Sequence, residues 1–184
     1  MSKNPETTNQ NLRKGNPTRW LTTVAIFMAI NIAVSSFGIP VPGGHLYLSD
    51  VVICTAALLL DPIGACIAGG VGAFLGDLIF YPAPMFVSLV THGLQALVIA
   101  LIVKNVSFSD KKKRIALSLV ATLIGGVIMV VGYTLGKIYV YSTFEYAMIK
   151  LPYEIAQALL GVVGSLALCY GAGLYKVFRK IENS

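Results

Sequence analysis

Charge is scarce in this chain. Only 12% of its residues are Asp, Glu, Lys or Arg, about half the share of an ordinary soluble domain. Cysteine and histidine are almost as rare. Cys54, Cys66 and Cys169 each lie inside an apolar run, none has CxxC spacing, and no His/Cys cluster accompanies them. That excludes a zinc-type motif, and small apolar residues in helix packing are the expectation, with no disulfide and no metal site. No GxxxxGK[ST] is present to hold ATP in a P-loop. HExxH and GxSxG are missing too, so no nucleophile of clear type supports an enzyme, and non-catalytic is the expectation. Nor is there a clear inverted repeat of broken helices. Residues 1–18 are polar and lack the short apolar core of a cleaved signal, so they read as a disordered cytoplasmic tail.

Apolar residues are abundant instead: 56% of the 184 residues, with a mean hydropathy of +0.76. One soluble core of this length cannot hide so much apolar surface, whereas a bilayer solvates it. The chain therefore reads as an all-α integral membrane protein with a transmembrane domain over 19–180. Six spans are expected, at about 19–37, 46–60, 63–80, 85–103, 115–140 and 152–178. Asp61-Pro62 and Tyr81-Pro82-Ala83-Pro84 are the breaks after the second and third, and a polar loop fills 104–114. Pro152 is expected in the first turn of the last helix.

Charge placement supports the split at Asp61-Pro62. Six spans put 12 of the 14 basic residues on one side: Lys3, Arg13, Lys14, Arg19, Lys104, Lys111 to Arg114, Lys176, Arg179 and Lys180. Lysine and arginine gather on the cytoplasmic side of short loops, so both termini are expected in the cytoplasm of a multi-pass bacterial plasma-membrane protein. The basic residues then track topology and anionic lipid, not nucleic acid.

Small residues recur every fourth position on two spans. Ala25, Ala29 and Ala33 line one face of the first. Gly64, Ala68, Gly72 and Gly76 line one face of the third, beside Ala65, Gly69 and Ala73. Such stripes let helices approach closely in lipid. Internal packing is the expectation for the third span. For the first, internal packing and docking of another membrane protein both stay open.

Ionisable groups inside a membrane are costly and point to function. His92 and Gln95, Tyr133 and Lys137, and Glu154 and Gln157 are pairs three or four residues apart, each sharing a helix face towards the outer half. Asp50 follows Ser49 at the outer end of the second span, as a helix cap, a ligand contact or both. Each residue has a bland alternative. His92 and Gln95 suit helix–helix bonding, Lys137 suits snorkelling, Glu154 suits a charge near a helix N-terminus, and Asp77 suits a partner on a neighbouring helix. Tyr47, Tyr81, Tyr133 and Tyr153 suit stacking on a flat ring or an interfacial belt. The convergence of three polar pairs favours a pocket.

Four runs, taken in order, carry a resemblance: Tyr47-Leu48-Ser49-Asp50, Asp61-Pro62-Ile63-Gly64-Ala65, the segment from Ala68 to Leu78, and His92-Gly93-Leu94-Gln95. The set resembles S components of energy-coupling factor (ECF) vitamin transporters, with the hydroxymethylpyrimidine/pyridoxine (HmpT-like) subgroup the nearest, over roughly residues 20–175. The resemblance implies a six-helix bundle that captures a small water-soluble vitamin or precursor from outside. It implies a membrane coupling (T) subunit and two ATPases as partners, with ATP used by those partners and no cofactor on this chain. It makes Ala25, Ala29 and Ala33 the docking face and the loop from Gly38 to Tyr47 a lid. The expected substrate-binding residues are His45, Asp50, His92, Gln95, Tyr133, Lys137, Glu154 and Gln157. A stand-alone secondary transporter, proton-coupled through Asp77 or Glu154, is the alternative. An intramembrane enzyme built on His92 and a purely structural subunit are further rivals.

Overall fold

A computed structural model describes residue 13 and residues 15–42, 44–104 and 110–183, the last stretch without the side chains of 179 and 181–183. Most of the expected tail, Lys3 and Lys14 included, lies outside the described residues, as does 105–109 of the expected polar loop. The described chain is helical apart from one hairpin.

Helix α1 (Pro17–Ser35) starts at a proline in its first turn, where no N–H is missed. The Asn16 side chain caps it by accepting from the Arg19 N–H at 3.1 Å. Two four-residue strands follow, β1 (Gly38–Val41) and β2 (Gly44–Tyr47), paired antiparallel with Gly38 opposite Tyr47. Gly44 holds φ at +124° in the turn, a conformation that suits glycine. The next helix, α2 (Ser49–Leu59), has only 11 residues and is almost wholly buried. Leu60 leaves the helix with ψ at 164°, and Pro62 restarts it as α3 (Pro62–Phe80). The chain continues through α4 (Met85–Lys104), α5 (Lys111–Tyr141), α6 (Phe144–Gly171) and α7 (Leu174–Asn183). Gly173, at φ +76°, turns α7 away from α6. Among the described residues, five helices (α1, α3, α4, α5 and α6) are long and apolar enough to cross a membrane, and α2 is a shorter apolar one.

Four boundaries differ from the sequence reading. The last span ends at Gly171 and not at 178, because the chain turns at Gly173 and restarts as α7. Leu46 and Tyr47 belong to β2, not to the second helix. The Lys111–Arg114 cluster forms the first turn of α5, because the Asp110 side chain caps it by accepting from the Lys112 N–H at 2.9 Å. Helix α6 begins at Phe144, capped by Thr143, so Pro152 stands inside it and not in its first turn. Proline forfeits one backbone bond there, a loss that packing against neighbouring helices offsets.

Helices α2 and α4 sit centrally, packed against α6 and against α3 and α5 respectively. The stripe on α3 is internal. A Cβ at Gly72 would meet Asn31 of α1 at 2.8 Å, and one at Gly70 would meet the Leu89 carbonyl of α4 at the same distance. A π-helical turn at Ile67–Val71 disturbs the regular backbone ladder here. The Asn31 amide serves it, donating to the Ala68 and Gly69 carbonyls at 3.1 and 3.3 Å. An apolar core of Ile53, Ala56 to Leu60, Ala65, Ala96 and Ile99 fills the end of the bundle nearer Asp61. The Trp20 indole N–H fixes α1 there by donating to Asp61 Oδ1 at 2.5 Å. The hairpin end is different: buried polar residues, among them His92, Lys137, Lys150, Glu154 and Gln157, gather there beside Ala73 and Met129.

Candidate functional site

Helix α2 is about 16 Å long at 1.5 Å per residue, little more than half a membrane core. Its start, Ser49, therefore lies deep in the bundle, and the hairpin occupies the space above it. Between them is a cavity of about 60 Å³. On this measure one water needs about 10–15 Å³, so the space suits a handful of waters.

The wall comes from several elements. Helix α4 supplies His92, α5 supplies Tyr133, Lys137 and Tyr141, and α6 supplies Tyr146, Lys150, Glu154 and Gln157. His45 and Tyr47 close it from β2, with Asp77 and Tyr81 from α3 and its C-terminal end.

The polar groups form two networks. In the first, the His92 Nδ1 lies 2.7 Å from Gln95 Oε1, and Gln95 Nε2 donates to Asp50 Oδ1 at 3.0 Å. Gln157 Nε2 donates to the other Asp50 oxygen at 2.6 Å, while Gln157 Oε1 accepts from the Tyr47 backbone N–H at 2.9 Å. On the far side of the ring, His92 Nε2 is 3.0 Å from the Tyr133 hydroxyl, which touches Ser88 Oγ at 2.5 Å. Ser88 in turn donates to Asp77. In the second network Lys137 and Glu154 form an ion pair, both almost fully buried. The Lys137 ammonium also lies 5.3 Å from the centroid of the Tyr133 ring, within cation–π range. Glu154 Oε2 is buried and has no partner among the described residues. Lys150 Nζ donates to the His45 carbonyl at 2.5 Å and so ties the hairpin to α6.

Every residue expected at a substrate site falls in this region, but two do not line the cavity. Asp50 and Gln95, 1% and 0% exposed, stand behind the wall and hold the residues that form it. The cap reading of Asp50 fails, since α2 has no side-chain cap bond and both carboxylate oxygens serve glutamines instead. Lys137 does not snorkel: it is 2% exposed and paired. Glu154 lies ten residues inside α6, too far from its N-terminus for a first-turn role. Tyr153 is outside the cavity wall.

Ser88, Lys150, Tyr141 and Tyr146 were missed. Ser88 had a visible signal, because it precedes His92 by four residues and so shares its face. Lys150 had none, since only the hairpin carbonyl explains its burial.

On α1 the three alanines, Ala25, Ala29 and Ala33, are exposed. The packing face is Val24, Asn31 and Ser35. That removes internal packing as the reason for this stripe.

Comparison with known proteins agrees with this architecture. The family described as ECF-type riboflavin transporter, S component, matches residues 15–176. An uncharacterised protein of Pyrococcus woesei, described only as lying in a gap 3' region, is 29% identical over 154 residues, covering 83% of this chain and 95% of that protein. The match to the family covers nearly the whole chain. The chain belongs to the S components of energy-coupling factor transporters, multi-pass, non-catalytic membrane subunits that capture substrate for a T subunit and ATPase module.

Proposed function

We propose that this chain captures a small, neutral, single-ring heterocycle bearing hydroxymethyl groups, such as hydroxymethylpyrimidine or pyridoxine, at the hairpin end of the bundle. Glu154 Oε2 carries the reading: a buried acceptor without a partner among the described residues, on a side chain of the cavity wall, suits a ligand that donates an O–H or N–H. His92 and Gln157 supply further polar contacts. The tyrosines offer faces for one aromatic ring. The small size of the cavity favours one ring over three.

The same reading places the hairpin end outside and both termini in the cytoplasm of a bacterial plasma membrane. Helix α2 with β2 then completes a sixth crossing. Lys104, Lys111, Lys112, Lys113, Lys176 and Lys180 lie on the inner side by this orientation, as the positive-inside rule requires. Lys137 and Lys150 are the basic residues left outside, and both face the cavity. The exposed alanines of α1 meet the T subunit.

Riboflavin is the second reading, favoured by the family description that matches the chain. Binding by the purified protein to pyridoxine, hydroxymethylpyrimidine and riboflavin separates the two. Saturable binding of a single-ring compound, weakened about tenfold or more by Glu154→Gln or His92→Ala, supports the proposal. Binding of riboflavin alone replaces it. No binding to any of the three, together with proton-driven uptake in vesicles free of ATPase, favours the secondary-transporter alternative.

A further inference from the structure

Asp50 is buried, hydrogen-bonded on both oxygens, and absent from the cavity wall. We propose that it is a positioning residue that puts a hydrogen on His92 Nδ1 and sets the attachment of the hairpin at once. Neither effect requires Asp50 to touch the ligand. Only the consequence for binding rests on the substrate-capture reading above.

The argument is one of donors and acceptors. A carboxylate only accepts. Whatever a glutamine points at Asp50 must therefore be its NH2 group, and its carbonyl must point the other way. At Gln95 this turns Oε1 towards His92 Nδ1, 2.7 Å away. A carbonyl oxygen also only accepts, so Nδ1 has to carry a hydrogen. The Cys54 sulfur, 3.7 Å from Gln95 Nε2, is a second acceptor on the same side and favours the same orientation. His92 Nε2 faces the Tyr133 hydroxyl; because Ser88 donates to Asp77, Tyr133 donates to Ser88 and is left to accept from the ring.

At Gln157 the same rule turns Oε1 towards the Tyr47 N–H, the backbone of β2. One carboxylate thereby orients two amides. One reads out on the recognition ring and the other on the hairpin. The close approach of α6 to α2 makes this reach feasible. Gly161 lies one turn after Gln157, and a Cβ there would stand 2.9 Å from that of Asp50.

Histidine labelled with ¹⁵N tests the proposal directly, because the chain has only two histidines and a His45→Gln variant assigns the signals. In nanodiscs without ligand, wild-type His92 is expected to show an N–H at Nδ1. Asp50→Asn offers one acceptor oxygen and adds a donor, so Gln95 turns over and Nδ1 loses its hydrogen. A bare Nδ1 in the wild type, or an Asp50→Asn spectrum with Nδ1–H unchanged, overturns the proposal. The wild-type spectrum decides even where the variant does not fold. Pyridoxine affinity is expected to fall about tenfold to a hundredfold in Asp50→Asn. Unchanged affinity in an Asp50→Asn variant with a bare Nδ1 would overturn the link to recognition. Failure of the wild type to bind pyridoxine would count against the substrate, while the Nδ1 hydrogen seen in the spectra would still decide the role of Asp50.

Discussion

The stripes on α1 and α3 have the same four-residue spacing and opposite fates. Gly64, Gly72 and Gly76 face α1, with Trp20, Val24, Asn31 and Ser35 against the space a Cβ would take. Ala25, Ala29 and Ala33 lie on the other side of α1 and touch no helix of the bundle closely enough to be covered. Small residues at this spacing permit close approach, but they do not say to what. The two helices share one interface, and α1 can turn only one face towards it. The glycines on α3 also come with buried polar partners on α1, whereas the alanines come with none.

Substitutions can break this comparison. The largest effect is expected from Ala29→Trp: transport by the assembled importer is lost, while ligand binding and the melting temperature of the isolated subunit stay near wild type. Normal uptake would show that the exposed stripe is not a docking face. Gly70→Leu comes next, on the buried side. Its Cβ would lie 2.8 Å from the Leu89 carbonyl and 2.9 Å from Gly93 Cα, both backbone atoms that cannot turn aside. Overpacking of this kind costs about 1–3 kcal/mol or more, and a lowered melting temperature in detergent is the readout. Asn31→Leu is smaller, at about 1 kcal/mol, because the Ala68 and Gly69 carbonyls lose their donor while a buried Oδ1 without a partner among the described residues is removed. An unaltered melting curve would mean that the π-helical turn has no need of it. Ala25→Ser is the smallest. On an exposed surface it is expected to shift stability by less than about 0.5 kcal/mol, and uptake should stay within twofold of wild type.

A second contrast lies along the membrane normal. The end near Asp61 is packed with aliphatic residues, with Asp61 itself the buried charge there, while the hairpin end holds Asp50, Lys137, Lys150 and Glu154 together. Membrane class, the break at Asp61-Pro62 and the small-residue faces were all legible in the chain, because each follows from local composition or from a residue's own backbone limits. The three polar pairs were legible too, since helical spacing alone puts their members on one face. Their roles were not. Gln95 and Gln157 look alike in sequence, yet one is sealed behind the wall and the other lines it. The hairpin was hidden for a similar reason: residues 38–47 contain glycines and prolines that read as loop, and pairing over so short a span depends on the helices beneath it.

The sequence by itself determined that the chain lives in lipid, that it breaks at Asp61-Pro62 and at Pro82-Ala83-Pro84, and which helix faces carry small or polar groups. These are properties of runs of ten to twenty residues, set by hydrophobic transfer, proline and charge. The tertiary structure alone decided which small-residue face is covered and which groups meet at the cavity. It decided that Asp50 binds two glutamines rather than a helix end, because these partners lie 45 and 107 residues away and only the packing of α2 against α4 and α6 brings them within bonding distance.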